Sequence, residues 1–140
     1  MTNGKGMMFG KHSSEIEFLY EGWFKDGLKH DLGRIIYESG KVIIGKWENG
    51  ILNRGEIFDY KNRKYKGQIR DAKRHGIGYF EIYKGELVEG DWLEDILHGK
   101  VFYTRANGDT LEGEYINMNP IGIHILNSKI GGTKTELKIS

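Results

Sequence analysis

Large apolar residues recur along this chain at even separations about a glycine. With Gly22, Gly45, Gly67, Gly90 and Gly113 as one column, the successive spacings are 23, 22, 23 and 23 residues. Two positions before each glycine stand Tyr20, Ile43, Tyr65, Val88 and Leu111, and two positions after it stand Phe24, Trp47, Ile69, Trp92 and Tyr115. Thirteen positions after it, allowing one deletion in the second unit, stand Ile35, Ile57, Phe80, Tyr103 and Leu126. Side chains on a strand alternate with period two, so the residues flanking each glycine share one face, and that face must be covered. Charged residues between them, such as Glu21, Lys46, Lys66, Glu89, Asp91, Glu112 and Glu114, point mostly to the other face, as in a strand with one wet side.

Each unit then reaches a second small-residue cluster, Gly33, Gly55, Gly76 with Gly78, Gly99 and Gly122, which reads as a turn between two strands. A closing column follows: Gly40, Asn62, Gly85, Gly108 and Gly131. Asn is the other residue that readily takes a positive φ, so Asn62 points to a left-handed position in a tight turn. The pattern predicts an all-β fold, an elongated single-layer antiparallel sheet built from about five tandem 23-residue hairpin units. The units run 20–42, 43–64, 65–87, 88–110 and 111–131, with a degenerate leading hairpin or cap over 1–19 and a cap strand or tail over 132–140. In such an array each unit contacts mainly its neighbours. Gly22, Gly45, Gly67, Gly90 and Gly113 are expected to be structural turn positions.

These residues resemble the MORN (membrane occupation and recognition nexus) repeat, whose unit reads approximately Tyr-Glu-Gly-x-Trp-x-x-Gly-x-x-x-Gly-x-Gly. Tyr20-Glu21-Gly22-Trp23-Phe24-Lys25-Asp26-Gly27 opens the first unit and Ile44-Gly45-Lys46-Trp47-Glu48-Asn49-Gly50 the second. Tyr65-Lys66-Gly67, Val88-Glu89-Gly90-Asp91-Trp92 and Leu111-Glu112-Gly113-Glu114-Tyr115 mark the others. Asp31 departs from the pattern at the first Gly of the second cluster, Ala72, Asp95 and Met118 at the inner Gly, and Val101 and His124 at the last. These departures are expected to weaken individual turns. The resemblance implies a non-enzymatic structural or adaptor protein of a cytoskeletal, ciliary (for example radial-spoke) or membrane-associated assembly. Enzymes of that family carry a separate catalytic domain, for which the residues left over have no room.

Composition narrows the classes further. The chain of 140 residues has 21 Lys+Arg against 20 Asp+Glu, which argues against the basic footprint of a general nucleic-acid binder. Eight Tyr, six Phe and three Trp are too many aromatics for a disordered chain. The absence of Cys removes disulfides, thiolate zinc sites and iron–sulfur clusters, and fits an intracellular, cytoplasmic setting. No apolar run reads as a signal peptide or a membrane span.

For chemistry, the histidines at one repeat position, His30, His75 and His98, lie on successive units about 10 Å apart, too far to share a metal ion. A structural role is expected for them, and His12 and His124 read as isolated histidines. Gly76-x-Gly78 lacks the flanking strand, helix and Lys of a phosphate loop. No catalytic residues, metal or cofactor are expected.

Charge is polarised along the chain. Residues 1–70 hold 13 basic and 9 acidic groups, and residues 71–140 hold 8 and 11. Lys61, Arg63, Lys64, Lys66, Arg70, Lys73 and Arg74 form a candidate basic patch, and Glu81, Glu86, Glu89, Asp91, Glu94 and Asp95 a candidate acidic one. Solvated faces with cross-strand pairs are an equal reading of both. The aromatic row Tyr20, Phe24, Trp47, Tyr65, Trp92 and Tyr115 is expected to line a sheet face that packs in part between units and in part grips a protein partner, such as an amphipathic helix, or another copy of the chain in a homodimer or larger assembly. The alternatives are an acidic-phospholipid-binding module carried by the basic patch and a non-catalytic subunit of an enzyme complex.

Overall fold

The computed structural model describes the backbone of residues 3–12 and 16–139, and the side chains of these except 11, 12 and 16. The turn of the leading hairpin, the side chain of His12 and the last residue of the expected C-terminal cap, Ser140, lie outside the described residues. Every regular element among them is a strand: β1 (Gly4–His12), β2 (Ile16–Lys25), β3 (Leu28–Tyr37), β4 (Val42–Trp47), β5 (Arg54–Phe58), β6 (Lys64–Arg70), β7 (Lys73–Tyr83), β8 (Glu86–Leu93), β9 (Ile96–Thr104), β10 (Thr110–Ile116), β11 (Asn119–Asn127) and β12 (Lys134–Ile139). The chain forms two compact units, residues 1–72 and 73–140. Within each, six strands pair antiparallel in sequence order, so the all-β, single-layer hairpin architecture holds.

Register converts the sequence columns into rows. In the first unit, Met8, Tyr20, Ile35, Ile43, Ile57 and Tyr65 stand opposite one another across β1 to β6. Thus the columns two before and thirteen after each glycine are a single apolar row, contributed alternately by odd and even strands. Two residues along runs a parallel row of glycines, Gly6, Gly22, Gly33, Gly45, Gly55 and Gly67. The second unit repeats both: Phe80, Val88, Tyr103, Leu111 and Leu126 form the apolar row, and Gly78, Gly90, Val101 and Gly113 the small one.

The glycine column is therefore not a set of turns. All five of its members lie inside strands, as do Gly33, Gly55, Gly76, Gly78, Gly99 and Gly122 of the second cluster. The reason is steric. A Cβ on Gly33 would meet the Tyr20 hydroxyl at 2.5 Å, because the Tyr20 ring lies flat across the glycine row and donates its hydroxyl to the Trp23 carbonyl at 2.8 Å. Tyr65 repeats the arrangement, donating to the Gln68 carbonyl at 2.7 Å. A sheet one layer thick has no second layer to cover it, so its large side chains fold sideways over positions that carry none. Trp92 does the same with its indole N–H, which donates to the Gly78 carbonyl at 3.3 Å.

The turns lie elsewhere. Four residues after each column glycine comes a pair with two left-handed residues: Asp26-Gly27, Asn49-Gly50, Asp71-Ala72, Glu94-Asp95 and Asn117-Met118. Two positive φ values in succession define the I′ turn that matches the twist of paired strands. Only two of these pairs contain the glycine that such a turn favours. Asp95 and Met118 gain something in exchange, since Asp95 Oδ1 accepts the Arg74 N–H at 2.8 Å and Met118 Sδ accepts the Leu97 N–H at 2.9 Å. Ala72, at φ 63°, has a side chain that can accept nothing. Replacing Ala72 by Gly is expected to raise stability by about 0.5–1 kcal/mol, the relief of a left-handed L-residue less the added freedom of the unfolded chain. Urea unfolding checks this, and a loss of stability would show that the turn is not strained.

The closing column does form turns. Gly40, Asn62, Gly85, Gly108 and Gly131 have φ values of 95°, 62°, 82°, 93° and 88°. At the Asn62 turn, Asp59 organises the loop: Oδ1 accepts the N–H groups of Lys61 and Arg63, both at 2.9 Å, and Oδ2 accepts Arg63 Nε at 2.7 Å. Burial acts to raise the Asp59 carboxyl, but the bonds from Arg63 and Lys61 and the charge of Arg63 outweigh it and hold the group below the ordinary carboxylate range. A pKa lowered on folding stabilises above the unfolded value and is lost as pH falls through the folded one. Asp59→Asn should therefore lower the thermal midpoint at pH 7 and have a smaller effect below about pH 3, under the unperturbed Asp value.

Candidate functional site

The aromatic residues expected to line a binding face are largely the core itself. Tyr20 and Tyr65 are 0% exposed, Trp92 3%, Trp47 5% and Phe24 8%. Tyr115 is half-buried, its ring edge-on to His124 at 5.5 Å. Tyr20 packs edge-on against both Phe24 and Trp47, with centroids 5.2 and 5.3 Å away. Such pairs are worth about 0.5–1.5 kcal/mol beyond their buried area. Alternation assigns residues to a face but does not say whether neighbours on that face close over them.

The basic residues do not form one bare surface. Arg63 pairs with Asp59 at 2.7 Å and Lys64 with Glu56 at 3.3 Å. Arg74 pairs with Asp95 at 3.1 Å and lies over the Trp92 and Phe80 rings, 4.4 and 5.2 Å from their centroids. Lys61, Lys66, Arg70 and Lys73 are exposed, with Lys73 and Arg74 belonging to the second unit. Of the acidic residues, Glu86 accepts the Tyr103 hydroxyl at 2.8 Å, a bond that with burial raises the Tyr103 pKa. Glu89 and Asp91 border a shallow hollow with Lys100 and Phe102, and Glu81 and Glu94 are exposed.

The repeated histidines lie on strands soon after a turn, and the Nδ1 atoms of His30 and His75 are buried without a hydrogen-bond partner among the described residues. No group of three or more His, Asp or Glu side chains suited to a metal ion occurs among those residues. His124 is not a surface histidine. It is 1% exposed, its ring fills the place above Gly113, and Nε2 lies 3.2 Å from the carbonyls of Glu114 and Ile121.

Besides a hollow of about 470 Å³ bordered by Phe9, Gly10, Glu17 and Phe18, the first unit leaves open a cleft of about 450 Å³ beside the core. Ile43, Trp47 and Ile69 form its buried wall, and half-buried Phe18, Tyr37 and Leu52 with exposed Ile51 form its accessible one. Phe18 and Tyr37 are cross-strand partners on β2 and β3, their centroids 6.1 Å apart. Lys29 reaches into this cleft from β3, its ammonium 5.7 Å from the Phe18 centroid and 5.6 Å from that of Tyr20. Burial lowers the Lys29 pKa. Sequence columns missed this site because Phe18, Lys29 and Tyr37 fall outside them. The available signal was that Phe18 continues the even spacing from Tyr20 away from Gly22.

The opposite face of this unit also carries an apolar stripe, Phe9, Leu19, Ile36, Val42 and Phe58, in one cross-strand row. Glu21 and Arg34 form a 2.9 Å ion pair on that face, beside the stripe. No protein-family model matches the chain, and a search of curated proteins finds no match.

Proposed function

We propose that this chain is a MORN-type repeat protein acting as a non-enzymatic adaptor that grips a protein partner in the cleft of its first unit. The single observation that carries the reading is the cleft: an apolar and aromatic surface left open beside the buried side chains of Tyr20, Trp47 and Tyr65. A volume of about 450 Å³ lies in the range in which proteins seat side chains or small ligands. The 23-residue period, the hairpin units and the tyrosines folded over glycines support the repeat assignment. The resemblance then implies a cytoskeletal, ciliary or membrane-associated assembly as its setting.

The test is affinity capture from native cell extract with the purified chain and its Ile51→Asp variant. Ile51 is 61% exposed, so this change places a charge at the cleft without removing core. Capture of one stoichiometric protein, lost in the variant at unchanged circular dichroism, is the expected result. Flotation with acidic liposomes, salt-sensitive and equal in the two proteins, with no protein captured, would sink the adaptor and favour the phospholipid module.

A further inference from the structure

We propose that the cleft of the first unit is an acid-selective subsite, in which the Lys29 ammonium binds the carboxylate of a partner's acidic segment while Phe18, Tyr37 and Trp47 take the adjoining apolar side chain. The inference rests on the adaptor reading and specifies the chemistry of the partner. Lys29 is the cation that enters this cleft, and no carboxylate lies within ion-pair distance of it among the described residues. Its ammonium faces two aromatic rings instead. Burial is the sole cause of its lowered pKa, with no charged neighbour contributing.

An ammonium half-withdrawn from water, with only ring faces for company, is incompletely compensated, because cation–π attraction replaces part of its hydration but none of its counter-charge. The other charged groups around the cleft leave that need unmet. Lys41, which stands over the Tyr37 ring at 5.5 Å and is bonded to the Ala72 carbonyl, does not line the cleft. Asp71 lines the cleft as an exposed residue and is not paired with Lys29. Lys29 and Asp71 are the charged residues that line the cleft, and the Lys29 ammonium is the charge that faces its aromatic rings. An anion with an apolar body complements it on both counts, whereas a cationic or purely apolar segment leaves Lys29 buried and unpaired.

The same geometry makes Lys29 a liability to folding. A lysine whose pKa is lowered on folding destabilises the folded state while it is charged, and the loss is relieved as pH rises through the folded value. Lys29→Met keeps the apolar stem and removes the charge, so it should leave the protein at least as stable as the parent. Loss of binding in that variant would then not be loss of fold.

The experiment is an NMR titration of the full chain with 3-phenylpropionate and its neutral isostere 3-phenylpropanamide, following the Trp47 indole resonance. Wild type is expected to bind the acid roughly tenfold more tightly than the amide, as a charge-assisted contact provides. In Lys29→Met the preference should vanish with amide affinity unchanged, and Lys29→Arg should restore it. Equal binding of acid and amide by wild type, no saturable binding of either, or a preference that survives Lys29→Met would each overturn the subsite. A captured partner that is lost in Ile51→Asp but retained in Lys29→Met would overturn the acid anchor while leaving the adaptor reading intact.

Discussion

Gly22→Ala is expected to destabilise the protein by roughly 3 kcal/mol, the upper part of the range for overpacking a filled site. A Cβ there would stand 2.6 Å from Gly33 Cα and 2.7 Å from the Leu32 carbonyl oxygen. Both obstacles are backbone held by the β2–β3 ladder, so relief requires the strands to separate. Gly27→Ala is the control. Its Cβ would meet nothing within 4 Å, and the residue has φ 78°, so its cost is the left-handed conformation alone, about 1 kcal/mol. Urea midpoints for the two variants separate the terms. If Gly22→Ala is no worse than Gly27→Ala, the glycine row is not a packing requirement.

Tyr20→Ala should cost about 3–5 kcal/mol, as for other large aromatic truncations in cores. The ring is wholly buried, touches Phe24 and Trp47 edge-on, and its hydroxyl holds the Trp23 carbonyl. Tyr20→Phe retains the ring and should cost only about 1–2 kcal/mol, the loss of that bond with an acceptor left poorly satisfied. A coupling tests the geometry more sharply. The three nearest atoms to a Cβ on Gly33 all belong to Tyr20. Gly33→Ala should therefore be severe in the parent and mild in the Tyr20→Ala background, a non-additivity that a double-mutant cycle measures directly. Additive losses would mean that Tyr20 does not occupy the glycine row in solution.

Both expectations follow from how a one-layer sheet makes a core. In the first unit the apolar row and the glycine row run side by side across six strands, and aromatic rings bridge from one to the other. The second unit shows what happens where the pattern lapses. Val101 stands in the glycine row and His124 fills the space above Gly113, and both are among the most buried residues of that unit, at 2% and 1% exposure. Departures from the repeat are thus not simply losses, since a side chain in the row can itself provide the cover.

The period and the strict apolar columns determined the hairpin repeat, the all-β class and the buried face, because strand alternation is local and survives in any register. The closing turns were equally legible, since Asn62 among four glycines is readable as a demand for a left-handed residue. The first set of turns was not. Asp71-Ala72, Glu94-Asp95 and Asn117-Met118 carry no glycine, and around the last two strand pairing decides the conformation against local preference. Nor could the sequence distinguish a glycine that bends the chain from one that makes room, because that depends on which residue stands opposite. The tertiary structure likewise buries Tyr20 and Tyr65 and sets Phe18, Lys29 and Tyr37 beside Trp47 in the open cleft. Alternation assigns a side chain to a face, but only packing across strands determines which members of that face bury one another and which remain open to a partner.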